Sequence, residues 1–166
     1  MSDLTIRLAR PAELDAVGAL TLRAYQADGY FANGVKTDYA AELSDARTRA
    51  DEGELLVAVD AEDRLLGTVT MARPGTRYAE VSRAGELEFR MLAVDPDARR
   101  RGVGLALVQA VLDRARELGL PRVVLSSHEK MTPVHGLYQR LGFSRLPERD
   151  WSPVPGVRLI AFELDL

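Results

Sequence analysis

One stretch constrains the chain more than any other. Glu88-Phe-Arg-Met-Leu-Ala-Val94 leads into Asp95-Pro-Asp97, then Arg99-Arg-Arg101, then Gly102-Val-Gly104 and an apolar run to Leu118. Phe89 to Val94 is almost wholly apolar, which suits a strand buried on both faces. Asp95-Pro96-Asp97 ends it, since proline cannot donate to a ladder and aspartate favours turns. Gly102 and Gly104 bracket one residue at a helix start, where the first backbone amides lack internal partners and the dipole is positive. With three arginines just ahead, strand, loop and helix together describe an anion site, most simply for phosphate.

Two common phosphate loops are excluded. There is no Gly-x-x-x-x-Gly-Lys-Ser/Thr. A dinucleotide fingerprint needs a small third residue where Leu107 stands and an acid ending the next strand, which here ends in Ser126-Ser127.

The rest of the chain reads as alternating elements. Leu4 to Leu8 alternates as a strand, and Pro11 opens a helix to about Ala24. Tyr25 to Gly34 mixes aromatics and glycines as a loop, and Tyr39 to Ala50 is a polar, acidic helical run. Leu55–Val59 and Leu65–Met71 form a hairpin about Asp60–Asp63. A loop to Ser82 leads to the strand Leu87–Val94. The helix from Val103 has only a narrow polar strip and stops at Gly119 and Pro121. Val123–Leu125 follows as a strand, parallel to Leu87–Val94 by a right-handed crossover. Thr132 caps a further helix with Pro133 at its first position, ending at Gly142; strands follow from Phe143 and over Val157–Leu164. The expected fold is a single α/β domain over residues 1–166. Its sheet is mixed and largely antiparallel, with a central β-α-β unit and helices on both faces.

The second block, Gly136-Leu-Tyr138-Gln-Arg-Leu-Gly142-Phe143, matters because of the first. Arg99, Gly102 and Gly104, after a strand ending Leu92-Ala-Val94-Asp-Pro96, resemble the acyl-CoA loop of the GNAT superfamily of N-acyltransferases. The second block is similar to that family's C-terminal signature, in the family's order and spacing. The resemblance implies transfer of an acetyl group from acetyl-CoA to a primary amine of a small molecule or peptide. Arg99, Arg100, Arg101, Gly102, Val103, Gly104 and Leu105 would hold the pyrophosphate, and Leu92, Ala93 and Val94 would run beside the pantetheine arm. Tyr138 occupies the place of the family's general acid and Glu88 a place where members carry a base. The family's asparagine near the start of the Tyr138 helix is replaced by Met131, with Ser126, Ser127 or Thr132 as candidate substitutes.

The chemistry asks for such groups. A lysine-like amine, with pKa about 10.4, is neutral in roughly one molecule per few thousand at pH 7, a cost of about 4–5 kcal/mol. A base, or an ordered water relay to one such as Glu88, is therefore valuable. Glu88 enters an apolar strand, where burial raises its pKa and Arg90, two residues along the same face, lowers it; a Glu88–Arg90 ion pair is the competing reading. Arg90 could alternatively pair with a carboxylate on the acceptor. Tyr138 competes with a core role on the stripe of Val134, Leu137 and Leu141. His128 and His135 have no third partner or metal spacing, and no metal is expected.

The absence of cysteine excludes disulfides and an acetyl-cysteine intermediate, favouring direct attack in a ternary complex. It also fits a cytoplasmic protein. A net charge of −3 points away from nucleic acid and anionic membranes, and no run reaches the ~20 apolar residues a span requires. The expected partner is thus the amine acceptor, with a homodimer left open. A non-catalytic acyl-CoA-binding sensor on the same fold is the rival function.

Overall fold

Seven strands make one sheet: β1 (Thr5–Leu8), β2 (Glu54–Val59), β3 (Leu65–Ala72), β4 (Glu86–Val94), β5 (Arg122–His128), β6 (Ser144–Arg145) and β7 (Leu159–Asp165), in the order β1-β2-β3-β4-β5-β7-β6. The structure is a computed structural model and describes residues 3–31 and 37–166, with Thr37 described by its backbone alone. All neighbouring strands are antiparallel except β4 and β5, which are parallel. Among the described residues five α-helices pack on the sheet: α1 (Leu14–Ala27), α2 (Thr37–Ser44), α3 (Ala46–Glu52), α4 (Val103–Glu117) and α5 (Thr132–Arg140).

Strand β2 shows why an unbroken apolar run suits this sheet. Leu55, Val57 and Val59 pack with Leu14 and Val17 of α1, while Leu56 and Ala58 join the core under α4. Period-two alternation therefore feeds two cores, one per face. Helices α1 to α3 cover one face; α4 and α5 cover the other, through Leu107, Val108, Val111 and Tyr138.

Strand β4 breaks that alternation. Leu87 and Phe89 point into the α4 core, yet Met91 and Ala93 belong to the opposite core, with Leu20, Ala24 and Tyr25 of α1. The register explains the switch: between Thr68↔Ala93 and Thr70↔Arg90, two steps of β3 face three of β4. This is a β-bulge, and Met91 within it has a positive φ of 55°. Just before the bulge β4 also leaves β5. The two pair at Glu86↔Arg122, Leu87↔Val123 and Glu88↔Val124 only, after which β5 continues against β7 alone.

Gly67 of β3 sets the height of α4. A Cβ there would lie 2.8 Å from Val103 Cγ1 and 2.9 Å from the Ala93 carbonyl oxygen. Only a hydrogen at this position lets the head of α4 rest on the strands.

Several boundaries differ from the sequence reading. The acidic run of Tyr39 to Ala50 is two helices, because Asp45 accepts the Thr48 N–H at 3.1 Å and caps the second. Helix α1 runs to Ala27, into the expected aromatic loop, of which residues 32–34 lie outside the described residues. Strand β5 extends to His128, held by β7. Thr132 is the first residue of α5 rather than its cap; Met131 is the N-cap and has no capping bond.

Candidate active site

The parting of β4 and β5 opens a cavity of about 890 Å³. Phe89 to Leu92 and Val94 form one wall, Leu125 to His128 the other, and Tyr138 lies in its lining. Tyr30 and Tyr39 close a further side, their ring centroids 5.4 Å apart. The aromatic loop after α1 thus contributes to both core and pocket.

A second cavity of about 420 Å³ adjoins it at the loop before α4. Arg100 and Gly102 both take left-handed backbone, with φ of 65° and 75°. At Gly102 nothing lies near a Cβ, so glycine serves the turn itself rather than a close approach. The helix's first bond runs from the Ala106 N–H to the Gly102 carbonyl at 3.0 Å, leaving the amides of Val103, Gly104 and Leu105 without helical partners. At Gly104 a Cβ would stand 3.4 Å from Leu137 Cδ2, so its absence keeps the cradle open between α4 and α5. These features fit a phosphate group.

The cationic residues divide. Arg100 lines the cradle, joined by Arg140 from α5. Arg99 borders both cavities but is already engaged: its Nε donates to the Val94 carbonyl at 3.0 Å and its Nη1 to Asp28 at 2.9 Å. It braces the loop. Arg101 lines neither cavity, and neither does Ala93, whose side chain the bulge turns into the α1 core. Ala93 can serve only through its backbone. Arg140 was not anticipated, because nothing local ties the end of the Tyr138 helix to a loop some forty residues earlier.

The acids take positions that the sequence pattern does not announce. Glu88 is 0% exposed and does not line the cavity. Its Oε1 accepts the backbone N–H groups of Glu80, Val81 and Ser82 at 2.9, 3.0 and 3.0 Å, and its buried Oε2 has no hydrogen bond among the described residues. Placed this way, it fastens the loop between β3 and β4 and stands outside the cavity lining. Nor does it pair with Arg90. The Arg90 guanidinium lies 3.0 Å from Glu80 and 3.8 Å from Glu42. Arg90 lines the cavity with its charge taken up by those carboxylates, which weakens its reading as an anchor for an acceptor carboxylate.

Glu80 lines the cavity beside Arg90. Burial pushes its carboxyl up to about 7; Arg90 opposes the rise, and Glu88 and Glu42 reinforce it. Its sequence context, a loop between broken β-segments, carries no signal of this kind.

Tyr138 is enclosed by Phe89, Phe143 and Phe162, at ring centroid distances of 5.8, 5.9 and 5.8 Å. Burial raises its phenol, so the hydroxyl is protonated at neutral pH. It is therefore both a core residue and part of the cavity wall. Ser126 accepts from Trp151 Nε1 at 3.3 Å and Ser127 pairs with His135 Nε2 at 3.1 Å, while Met131 also borders the cavity. Burial lowers the His135 pKa. Among the described residues no group of three or more His, Cys, Asp or Glu side chains could hold a metal, and no helix is long and apolar enough to cross a membrane.

A helix headed by glycine, a bulged strand and a parted parallel pair set one cavity beside a cradle of free amides and arginines. The family model for the acetyltransferase (GNAT) family matches residues 19–143, and the chain belongs to that family. A mycothiol acetyltransferase from Salinispora tropica is 40% identical over 149 residues, covering 86% of this chain and 45% of its own length. The chain spans less than half the length of the curated relatives it matches. Among solved structures, a GCN5-related N-acetyltransferase from Kribbella flavida is 28% identical with a TM-score of 0.69, covering 99% of this chain and 98% of that one. The PaiA N-acetyltransferase of Thermoplasma acidophilum, solved with coenzyme A, has a TM-score of 0.72 at 16% identity, covering 100% of each chain.

Proposed function

We propose that the protein transfers an acetyl group from acetyl-CoA to a primary amine by direct attack. One observation carries the reading: the first-turn amides of α4 lack helical partners beside a cradle that opens onto the cavity between β4 and β5. The amides of Val103, Gly104 and Leu105, with Arg100 and Arg140, would hold the pyrophosphate. The backbone from Leu92 to Val94 would line the pantetheine arm, and an amide there would stabilise charge on the thioester carbonyl. The amine nitrogen forms the new bond to the carbonyl carbon as the C–S bond breaks. Tyr138 would supply a proton to the departing thiolate. The named relatives support the reaction type; because the chain spans less than half of them, their acceptor is not carried over.

Calorimetry with coenzyme A and an amine screen monitoring released thiol test this, helped by the absence of cysteine. Binding with turnover of at least one amine is expected. Gly104→Asp should set a carboxylate in the cradle and weaken coenzyme A binding at least about tenfold, or ~1.4 kcal/mol. Unchanged affinity in a folded variant would remove the cradle assignment. Binding without turnover of any amine would instead leave an acyl-CoA sensor.

A further inference from the structure

We propose that Glu80 is the base that takes the acceptor's proton, and that Glu88 is a positioning residue acting through it. The inference rests on the acetyl transfer proposed above and adds a catalytic group to it.

Geometry carries the assignment. Glu80 borders the same cavity as Leu92 and Tyr138, whereas Glu88 does not. Its carboxylate is 3.0 Å from the Arg90 guanidinium, which restricts where it can sit. The Glu80 N–H is bound to Glu88 Oε1 at 2.9 Å, and the next two amides of the loop share that oxygen. The base is thus held at both ends, by its own backbone and by its side chain. Its side chain is 20% exposed, enough to reach a ligand yet largely removed from water.

The electrostatics agree. Arg90 and Glu88 face Glu80 from β4, Glu42 and Tyr39 from α2, and Tyr30 from beyond α1. Burial, with Glu88 and Glu42, outweighs Arg90 and brings the carboxyl to about 7, close to the operating range of a general base. Glu42 is the other acid within reach of Arg90, but it is 42% exposed and 3.8 Å away. In the step itself, the ammonium N–H bond breaks and its proton moves to a Glu80 carboxylate oxygen. The freed nitrogen lone pair then attacks the thioester carbon, and Glu80 later releases the proton to solvent.

The test is the pH dependence of kcat/KM for wild type, Glu80→Gln, Glu42→Gln and Glu88→Gln with any amine found in the screen. Glu80→Gln keeps the backbone N–H that Glu88 accepts, so the loop remains fastened. Wild type should rise to a plateau above about 7. Glu80→Gln should be about 10²-fold slower at pH 7 and keep climbing toward the amine's own pKa, with coenzyme A affinity within about twofold of wild type. Glu88→Gln removes a neighbouring charge and should move the wild-type limb to lower pH without abolishing it. A Glu80→Gln profile like wild type, or loss of the limb in Glu42→Gln instead, would overturn the assignment. So would a carbon NMR titration placing the Glu80 carboxyl in the ordinary carboxylate range. If wild type binds coenzyme A yet acetylates no amine, the proposed function falls first, and this inference with it.

Discussion

Strand β4 touches β5 from Glu86 to Glu88 and then leaves it, and the two stretches use their ionisable neighbours in opposite ways. In the paired stretch every acid is bound to fixed donors. Glu86 accepts the Arg83 N–H at 2.8 Å and two Arg149 bonds at 2.6 and 3.1 Å, and Glu88 gathers three loop amides on one oxygen. In the parted stretch Glu80 meets a single arginine, and Tyr138 is enclosed by aromatic rings. A carboxylate surrounded by donors holds its surroundings still. One left short of donors beside a cavity keeps a proton it can exchange.

The contrast can be broken most forcefully at Glu88. Glu88→Ala would leave three amides of the β3–β4 loop without their acceptor in a buried site, and should cost on the order of 3 kcal/mol or more. For a chain of this size that is a fall of roughly 10 °C in Tm, measurable by calorimetric melting. A melting temperature equal to wild type would mean that the loop is fastened by something other than Glu88.

A smaller effect should appear in stability against pH. Unfolded, the Glu80 carboxyl releases its proton near 4.5; folded, it holds it to about 7. Between these values the folded state binds more protons, so the stabilisation is complete below about 4.5 and is lost as pH rises through about 7. The change is on the order of 3 kcal/mol. Urea unfolding across this window should show the decline in wild type and a flatter profile in Glu80→Gln. A matching decline in the variant would assign it to other groups.

The smallest change sharpens the comparison from the open side. Tyr138→Phe should lower turnover by about tenfold to a hundredfold, the low end for a general acid. A phenol raised by burial gives up its proton reluctantly, and a thiolate with pKa near 8.5 leaves tolerably without help. Melting temperature and coenzyme A affinity should stay near wild type, unlike the outcome at Glu88. Wild-type turnover would return Tyr138 to a purely packing role.

The sequence made the framework legible because the framework depends on local rules. Apolar runs marked β2 to β5, prolines and glycines marked the ends of α4, and Gly102 marked the turn before it. Two short motifs pointed to the loop and helix that line the second cavity. What stayed hidden depends on long-range geometry. One inserted residue at Met91 reverses which side chains of β4 share a face, and no local pattern announces it. The resemblance points to Glu88 on β4 for a base, but its burial depends on residues 80–82, which fold back over it. Arg140 and Glu80 reach their cavities from elements distant in the chain.

The three-pair contact between β4 and β5 has a consequence for how the molecule opens. Strands β1 to β4 form one hydrogen-bonded block and β5 to β7 another, and among the described residues the ladder crosses between them only at Glu86, Leu87 and Glu88. Backbone amides on either side of this seam lack the second strand that would shield them from deuterium exchange. The two ladders are joined by hydrogen bonds at one end of the seam, while the shared core under α4 and α5 holds both. A ligand lying along the seam would supply the missing bridge, so occupancy should be written in the exchange rates of β4 and β5 before it is visible in any change of shape.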